Sequence, residues 1–351
     1  MNTYFLDSNI DLKLQNKLNN FIDKNCINQQ SYKAHNIYNE MDKFSYKYIV
    51  CENDLGEVVG VMPFIIYDGK YGSVIHSMPF IGYGCICSLD NQKEEIVDQI
   101  ICLLEKFAKD ENVLLITMCI PPFQQSLCNL IKDKIKPEFE MKNFFQYMDL
   151  KQDVFGNMKA KFRGNLRRNI KKCTRYGVEL FESYSEEDLK YWYENVYLKR
   201  LMETGCSIYP YSVFKTFIQE FSKDRVKMVY AKLQDKIIAG GMYFSQGISL
   251  DNFMRVVDSE YFYTQVGTYL DYYSVMYAIE NNLQYYNWES CDDIGSSIYK
   301  YKEDWGSTLD FHYYLTKVVG DISNITQVPL EDIKKEYKGI YVLPYDQFKK
   351  R

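Results

Sequence analysis

Lys47-Tyr48-Ile49-Val50-Cys51-Glu52, a polar turn from Asn53 to Gly56, then Glu57-Val58-Val59-Gly60-Val61-Met62-Pro63-Phe64 decides the fold, because the chain repeats it. The second copy is Lys227-Met228-Val229-Tyr230-Ala231-Lys232, a turn at Gln234-Asp235, and Ile237-Ile238-Ala239-Gly240-Gly241-Met242-Tyr243-Phe244. The copies overlay without a gap, Lys47 on Lys227, Gly60 on Gly240, Met62 on Met242 and Phe64 on Phe244. Each is two runs rich in β-branched and aromatic residues around a polar turn, the pattern of a β-hairpin. A long helix and a further apolar strand follow both. The offset of 180 positions (227 minus 47) far exceeds the roughly 20–50 residues of a solenoid repeat. Duplicated domains are therefore expected, and a cleft between domains is a favoured place for a ligand.

Leu12, Leu14, Leu18, Phe21 and Ile22 give residues 11–25 a helical stripe ahead of the first hairpin. After it come a strand and turn over Tyr71–Ile86, a helix over Gln92–Asp110, and a buried strand Val113–Ile120 ended by Pro121-Pro122. A long helix from about Asp153 to Arg175 opens the second half and leads into a strand at Val178–Phe181. Helices over 186–203 and 211–222 precede the second hairpin. Strand Ile248–Val257, helix Thr268–Glu280, and strands Tyr285–Trp288 and Leu309–Leu315 follow it. The fold class expected is α/β, with mixed α+β sheets and helices on both faces. The domains are placed at 1–150 and 151–330, with a charged segment 331–351 as a tail or a return onto the first domain.

At 351 residues the chain suits two domains of ordinary size. Its 46% hydrophobic and 25% charged content is that of a water-soluble globular protein. The N-terminus lacks the basic start and apolar core of a secretory leader, and no stretch is apolar enough to span a bilayer. Ten scattered cysteines, only Cys85 and Cys87 being close neighbours, fit reduced thiols and a cytoplasmic location. With three histidines there is little material for a zinc site or a His-based triad, so no metal is expected. A net charge of −5 argues against general nucleic-acid coating.

Three segments could carry chemistry. From Lys159 to Arg175 there are eight cations and no acid, and on a helix Arg163, Arg167, Lys171 and Arg175 form one stripe. Phe162, Leu166, Ile170 and Cys173 lie to another side and can dock on a core. Such a run reads either as a solvated face answered by nearby acids or as a phosphate site. Thr264-Gln265-Val266-Gly267-Thr268-Tyr269 precedes a helix, with Gly267 near its start and Thr268 as a cap; exposed N–H groups there can hold an anion. Glu289-Ser290-Cys291-Asp292-Asp293 and Gly295-Ser296-Ser297-Ile298-Tyr299-Lys300-Tyr301-Lys302-Glu303-Asp304-Trp305-Gly306 form the third. Lysines beside aromatics and a Trp-Gly turn can set an ammonium into a cleft, against a developing oxyanion. The same residues also read as a surface strand with alternating lysines.

Four elements in this order resemble the FemABX family of aminoacyl transferases and its relatives in the GNAT-like acetyltransferase superfamily. They are S-x-P-x-x-x-Y-G at Ser77–Gly84, the basic R-N-x-R-R-type helix at Arg163–Lys172, the I-A-G-G strand at Ile238–Gly241, and the F-K-x-x-[FW]-G element at Tyr301–Gly306. The resemblance spans about residues 45–318 and implies two tandem GNAT-like acyltransferase domains. It implies an acyltransferase that moves an activated aminoacyl or acyl group onto an amine of a peptidoglycan-type cell-envelope precursor. The co-substrate would be aminoacyl-tRNA or acyl-CoA, with no bound cofactor. The partners implied are an anionic nucleotide- or lipid-linked precursor and, as donor, tRNA. Lys302 matches the family lysine that reaches the reacting carbonyl. Glu289, Asp292 and Asp293 are the acids offered for the amine's proton. Tyr83, Gly84, Arg163, Arg167, Arg168, Arg255, Tyr261, Gly267, Tyr301 and Trp305 are the substrate-binding candidates. Departures are Tyr301 for Phe, Cys85 after Tyr83-Gly84, Asn287 where the family's strand often has an acid, and the lack of a long helical-hairpin insertion. The alternatives are an acyl-CoA-dependent N-acyltransferase acting on an amino sugar or polysaccharide precursor, and a non-catalytic binder of an anionic glycan or nucleotide.

Overall fold

In the computed structural model the chain forms two compact units, residues 1–143 with 311–351 and residues 144–310. The described residues are 1–6, 10–39, 41–291 and 293–340, with Leu343 and Gln347. The first unit opens with β1 (Asn2–Phe5) and α1 (Leu12–Asn25), whose N-terminal Leu14 N–H donates to the Asp11 carboxylate at 2.7 Å. The first repeated stretch is the antiparallel hairpin β2 (Phe44–Glu52) and β3 (Val58–Gly69). β4 (Gly72–His76) and the short β5 (Cys87–Ser88) both pair with β3. α2 (Lys93–Asp110) buries Ile96, Ile100 and Leu104 and carries the chain back to β6 (Leu115–Cys119), parallel to β4. α3 (Gln125–Ile135) and β7 (Phe139–Asp149) lead into the second unit.

There the helix expected over 153–175 is broken into α4 (Val154–Asn157) and α5 (Ala160–Arg175). Met158 between them is buried and has an extended backbone, and the extended backbone breaks the helix. β8 (Val178–Glu182), α6 (Glu186–Trp192), a π-turn at Tyr193–Tyr197, α7 (Leu198–Thr204) and α8 (Tyr211–Glu220) precede the second hairpin. That hairpin is β9 (Val226–Leu233) and β10 (Lys236–Ser245), followed by β11 (Ser249–Val257), α9 (Val266–Glu280), β12 (Tyr285–Asn287) and α10 (Ser297–Asp304). β13 (Thr308–Val318) pairs with β6, Leu315 opposite Met118, so the chain returns to the first unit before α11 (Ser323–Gln327) and α12 (Leu330–Glu336). Glu336 there pairs with Lys43 at 2.8 Å, and Tyr337 donates to the Gly72 carbonyl at 2.8 Å. The units thus divide at 143/144 and 310/311, where the sequence placed 150/151 and 330/331, because strand pairing decides the boundary and helix starts do not.

Both units have one spatial arrangement of strands, with the sixth strand supplied by the last strand of the chain, β13, in the first unit and by β7, ahead of β8, in the second. Strand order is β1-β2-β3-β4-β6-β13 in the first and β8-β9-β10-β11-β12-β7 in the second. In each, four antiparallel strands lead through a helix to a parallel fifth, flanked by an antiparallel sixth. The gap-free overlay of the two hairpins does not survive as a pairing register. Gly60 pairs with Cys51, whereas Gly240 pairs with Tyr230, which stands over Val50. The first turn is longer, with Asn53 Oδ1 accepting from Leu55 N and Glu57 N, both at 3.0 Å. A slip of one residue turns side chains to the opposite face. Accordingly a Cβ at Gly60 would meet Ile96 of α2, and one at Gly240 would meet Trp192 of α6.

Candidate active site

In the second unit the parallel strands β11 and β12 pair over three positions only: Ser249 with Tyr285, Leu250 with Tyr286 and Asp251 with Asn287. β12 then ends while β11 continues to Val257, leaving a parting between them. In the first unit β4 and β6 also pair over three positions, but Ser77 stitches them further, its N–H donating to Thr117 O at 3.0 Å and its Oγ accepting from Cys119 N at 2.5 Å.

Lys302 sits beside the parting. It is 6% exposed and lies on α10, not on the strand its alternating sequence also suggested, because Ser296 caps the helix by accepting from Tyr299 N. Its Nζ donates to the carbonyls of Glu289 at 2.8 Å and Ser290 at 2.9 Å. An ammonium has three hydrogens, so one remains uncommitted to any described residue. Burial lowers its pKa to about 8, against the opposing pull of Cys291 and Glu289. Glu289 has a φ of 61°, a left-handed conformation that costs a non-glycine residue on the order of 1 kcal/mol. It is held there by its N–H to Asn287 Oδ1 at 2.9 Å.

Around Lys302 is a polar cluster among aromatic rings. Tyr301 donates to Asp271 Oδ2 at 2.7 Å. Arg255 Nε is 3.0 Å from Asp271 Oδ1, yet neither atom has a hydrogen bond among the described residues, so the pair is Coulombic rather than linear. Asp271 is fully buried, and burial raises its pKa against the opposing effects of Arg255 and Tyr301. The sequence did not single out Asp271. Gly267 makes room for the arginine, since a Cβ there would stand 2.9 Å from Arg255 Nη1. Trp305 is fully buried against Phe162 and Trp288, with ring centroids 5.2 and 5.5 Å apart. Gly306, at a φ of 82°, lets that turn close on α4, because a Cβ would lie 2.7 Å from Asn157 O. Tyr243 Oη and the indole nitrogens of Trp288 and Trp305 are buried without hydrogen-bond partners among the described residues.

The basic helix and the α9 N-terminus, separate in sequence, meet here. Arg168, Asn169, Lys172, Arg175 and Tyr176 line a surface pocket of about 590 Å³ together with Gln265. α9 begins at Val266, so Thr268 lies within its first turn and is not its cap; Gln265 is left-handed there and makes no side-chain cap. Of the eight cations, Lys159 is answered by Glu303 at 2.6 Å and Asp304 at 3.4 Å. Among the described residues the other seven have no acid at ion-pair distance. Leu166 and Cys173 are buried, as the helical stripe predicts. Exposed Tyr176 and Tyr263 meet edge to face at 5.1 Å beside the pocket.

The remaining candidates are dispersed. Arg163 donates to the carbonyls of Phe155 and Gly156, and Arg167 is exposed; neither lines the pocket. Tyr261 is partly buried beside Tyr263, its carbonyl accepting from Thr264 Oγ1. Glu289 is partly buried, Asp293 is exposed, and Asp292 lies outside the described residues. Tyr83 and Gly84 belong to the first unit, where Tyr83 is buried edge-on to His312 at 5.2 Å and Gly84 O accepts from Gln30. A second buried carboxyl, Asp251, stands beside Asn287 and was also missed. Among the described residues no group of His, Cys, Asp or Glu is placed to hold a metal, and no helix is long and apolar enough to cross a membrane.

Solved structures share this fold over nearly the whole chain. FemX matches with a TM-score of 0.66 at 12% identity, over 90% of this chain and 97% of that one. The C-terminal domain of a putative lysylphosphatidylglycerol synthetase from Agrobacterium fabrum matches with 0.57 at 12%, over 94% and 99%. A tandem GNAT protein from the clavulanic acid biosynthesis pathway matches with 0.52 at 11%, over 91% and 99%. No family model and no curated protein sequence matches the chain. The architecture is a FemABX-like tandem GNAT fold of mixed α/β sheets; at these identities the likeness is one of fold.

Proposed function

We propose that the chain is an acyltransferase that moves an activated aminoacyl or acyl group onto an amine of a cell-envelope precursor. The observation that carries this is Lys302, a buried ammonium with two hydrogens fixed and one unspent, beside the parting of β11 and β12. In this reading the donor is a phosphate-bearing ester or thioester, aminoacyl-tRNA or acyl-CoA. Its phosphates lie against Arg168, Lys172 and Arg175, where a helix N-terminus adds a favourable dipole. The acceptor amine attacks the acyl carbon, the new C–N bond forms, and negative charge collects on the carbonyl oxygen. The third Lys302 hydrogen stabilises that oxyanion. The attacking nitrogen gives up its proton to a carboxylate, which passes it to the leaving oxygen or sulfur as the C–O or C–S bond breaks, so the donor departs as an alcohol or a thiol. Glu289 is the nearest of the proposed acids in the chain to Asn287 and to the carbonyl that holds Lys302. At pH 7 a pKa of about 8 keeps Lys302 mainly protonated, as oxyanion stabilisation needs.

A cell-envelope acceptor is supported by the shared fold with FemX and with the lysylphosphatidylglycerol synthetase domain, and by nothing in the site itself. The test is incubation of the purified chain with labelled aminoacyl-tRNA or labelled acetyl-CoA and a panel of amine acceptors. Transfer abolished by ribonuclease assigns the RNA donor; ribonuclease-resistant transfer from the thioester assigns acyl-CoA. Tight binding of donor with no transfer to any amine would instead identify a non-catalytic binder.

A further inference from the structure

We propose that Asp251 is a positioning residue for Lys302: its carboxylate orients the Asn287 carboxamide, which fixes the turn at Glu289 and so aims two carbonyl oxygens at the ammonium. The inference deepens the transferase reading, since it takes Lys302 as the group whose placement matters.

Asp251 is 4% exposed and Asn287 fully buried, at the last paired position of β11 and β12 before the strands part. A carboxyl at such a place has to be accounted for, because burying one without partners is costly. Its partners are polar and local: Ser249 Oγ donates to Oδ1 at 2.7 Å, and the side-chain amides of Asn287 and Gln246 also serve it. Asn287, the register partner of Asp251 on β12, has that carboxylate beside it and turns Nδ2 toward a second one, Glu289 Oε1, at 3.4 Å. The two ends of a carboxamide are nearly the same shape, so the neighbouring charge decides which way it lies. With Nδ2 toward the carboxylates of Asp251 and Glu289, Oδ1 is left to accept from Glu289 N at 2.9 Å. That bond keeps Glu289 left-handed, and its carbonyl and that of Ser290 then reach Lys302 Nζ at 2.8 and 2.9 Å.

A carboxamide does not pass protons between two carboxyls, so Asp251 acts on geometry and not as the base. Burial raises its pKa to about 6, against the hydrogen bonds from Ser249, Asn287 and Gln246, and leaves it ionised at neutral pH. The charged and titratable groups that act on Lys302 itself are Cys291, Glu289, Arg255 and Asp271, and all are unchanged by a substitution at 251.

The experiment is trace labelling of the full chain with an amine-reactive acetylating reagent across pH 6 to 11, with the midpoint for Lys302 read by mass spectrometry and exposed Lys161 as the internal standard. The midpoint expected for Lys302 in the wild type is near pH 8, set by its burial. Asp251→Asn frees the turn, lets water reach Nζ, and moves the midpoint upward by about one pH unit or more. Ser249→Ala, which removes one hydroxyl and leaves the carboxyl, shifts it upward by a smaller amount and serves if Asp251→Asn does not fold. An unmoved midpoint in Asp251→Asn and Ser249→Ala overturns the proposal. No donor or acceptor is used, so a shifted midpoint in a chain without transferase activity would uphold the relay while removing the proposed function, and the reverse result would do the opposite.

Discussion

Replacing Lys302 with methionine removes a charge the fold disfavours while keeping most of the side chain's bulk. Burial brings the ammonium's pKa from 10.5 down to about 8, an order-of-magnitude cost of about 3 kcal/mol for carrying the charge in the folded state. Below pH 8 both folded and unfolded chains hold the proton and the whole cost is present. Between pH 8 and 10.5 the unfolded chain holds more protons than the folded one, so stability gained from this group rises with pH. Methionine has no such term, but it leaves the Glu289 and Ser290 carbonyls without their donor, a loss of about 1–3 kcal/mol for each if water does not replace it. At neutral pH the two effects oppose each other, and the variant should unfold within a few kcal/mol of the wild type. Urea unfolding of both proteins at pH 7, 8, 9 and 10 is the assay. Subtracting one curve from the other cancels the thiols and phenols they share. The difference, wild type minus Lys302→Met, should grow by up to about 3 kcal/mol toward the alkaline end. A difference that is flat or shrinks with pH would falsify the burial argument for Lys302.

Three other perturbations test the surroundings. The triple variant Arg168→Ala, Lys172→Ala, Arg175→Ala should raise KM for a phosphate-bearing donor by about ten- to a hundredfold and flatten its dependence on salt, read from initial rates at several ionic strengths; an unchanged KM would take the donor elsewhere. Gly306→Ala forces a Cβ to within 2.7 Å of Asn157 O at a φ of 82°, and should lower stability by about 2 kcal/mol or more in thermal unfolding. Gly267→Ala displaces Arg255 from Asp271 through a contact of 2.9 Å. Turnover should fall by at least about tenfold with the fold intact by circular dichroism; wild-type turnover would show that the arginine's position is immaterial.

The repeated hairpins made the two-unit fold legible, because strand alternation and turn residues are local signals. Their residue-by-residue equivalence was not, since it depends on where pairing stops at the turn, and the wider turn at Asn53–Glu57 shifts one register by a single position. The basic stripe on α5 was also readable, from a spacing that needs no tertiary knowledge. Lys302 is a harder case. Ile298-Tyr299-Lys300-Tyr301-Lys302 alternates like a strand, and only the Ser296 cap and the carbonyls of a loop 12 and 13 residues earlier make it helical and buried. Asp271 sits in α9, a helix rich in apolar residues around its circumference, so nothing in its own neighbourhood marks it; the signal is Arg255 on another strand. The pocket joins Arg175 to Gln265 across the whole second hairpin, a proximity set by the sheet and invisible in either segment. β7 and the return of β13 to β6 escaped the sequence for the same reason, as pairing partners far apart in the chain decide them.

The amide product is the most direct consequence of a Lys302-stabilised oxyanion. Wild-type chain and Lys302→Met are each incubated with labelled aminoacyl-tRNA or acetyl-CoA and an amine acceptor, and the acceptor is weighed by mass spectrometry. Lys302 as the oxyanion's partner predicts an acceptor heavier by one acyl group with the wild type, and a yield lower by about 10²–10³ with the variant at equal folded concentration. Equal yields from the two proteins, or an unmodified acceptor with every donor, would contradict it.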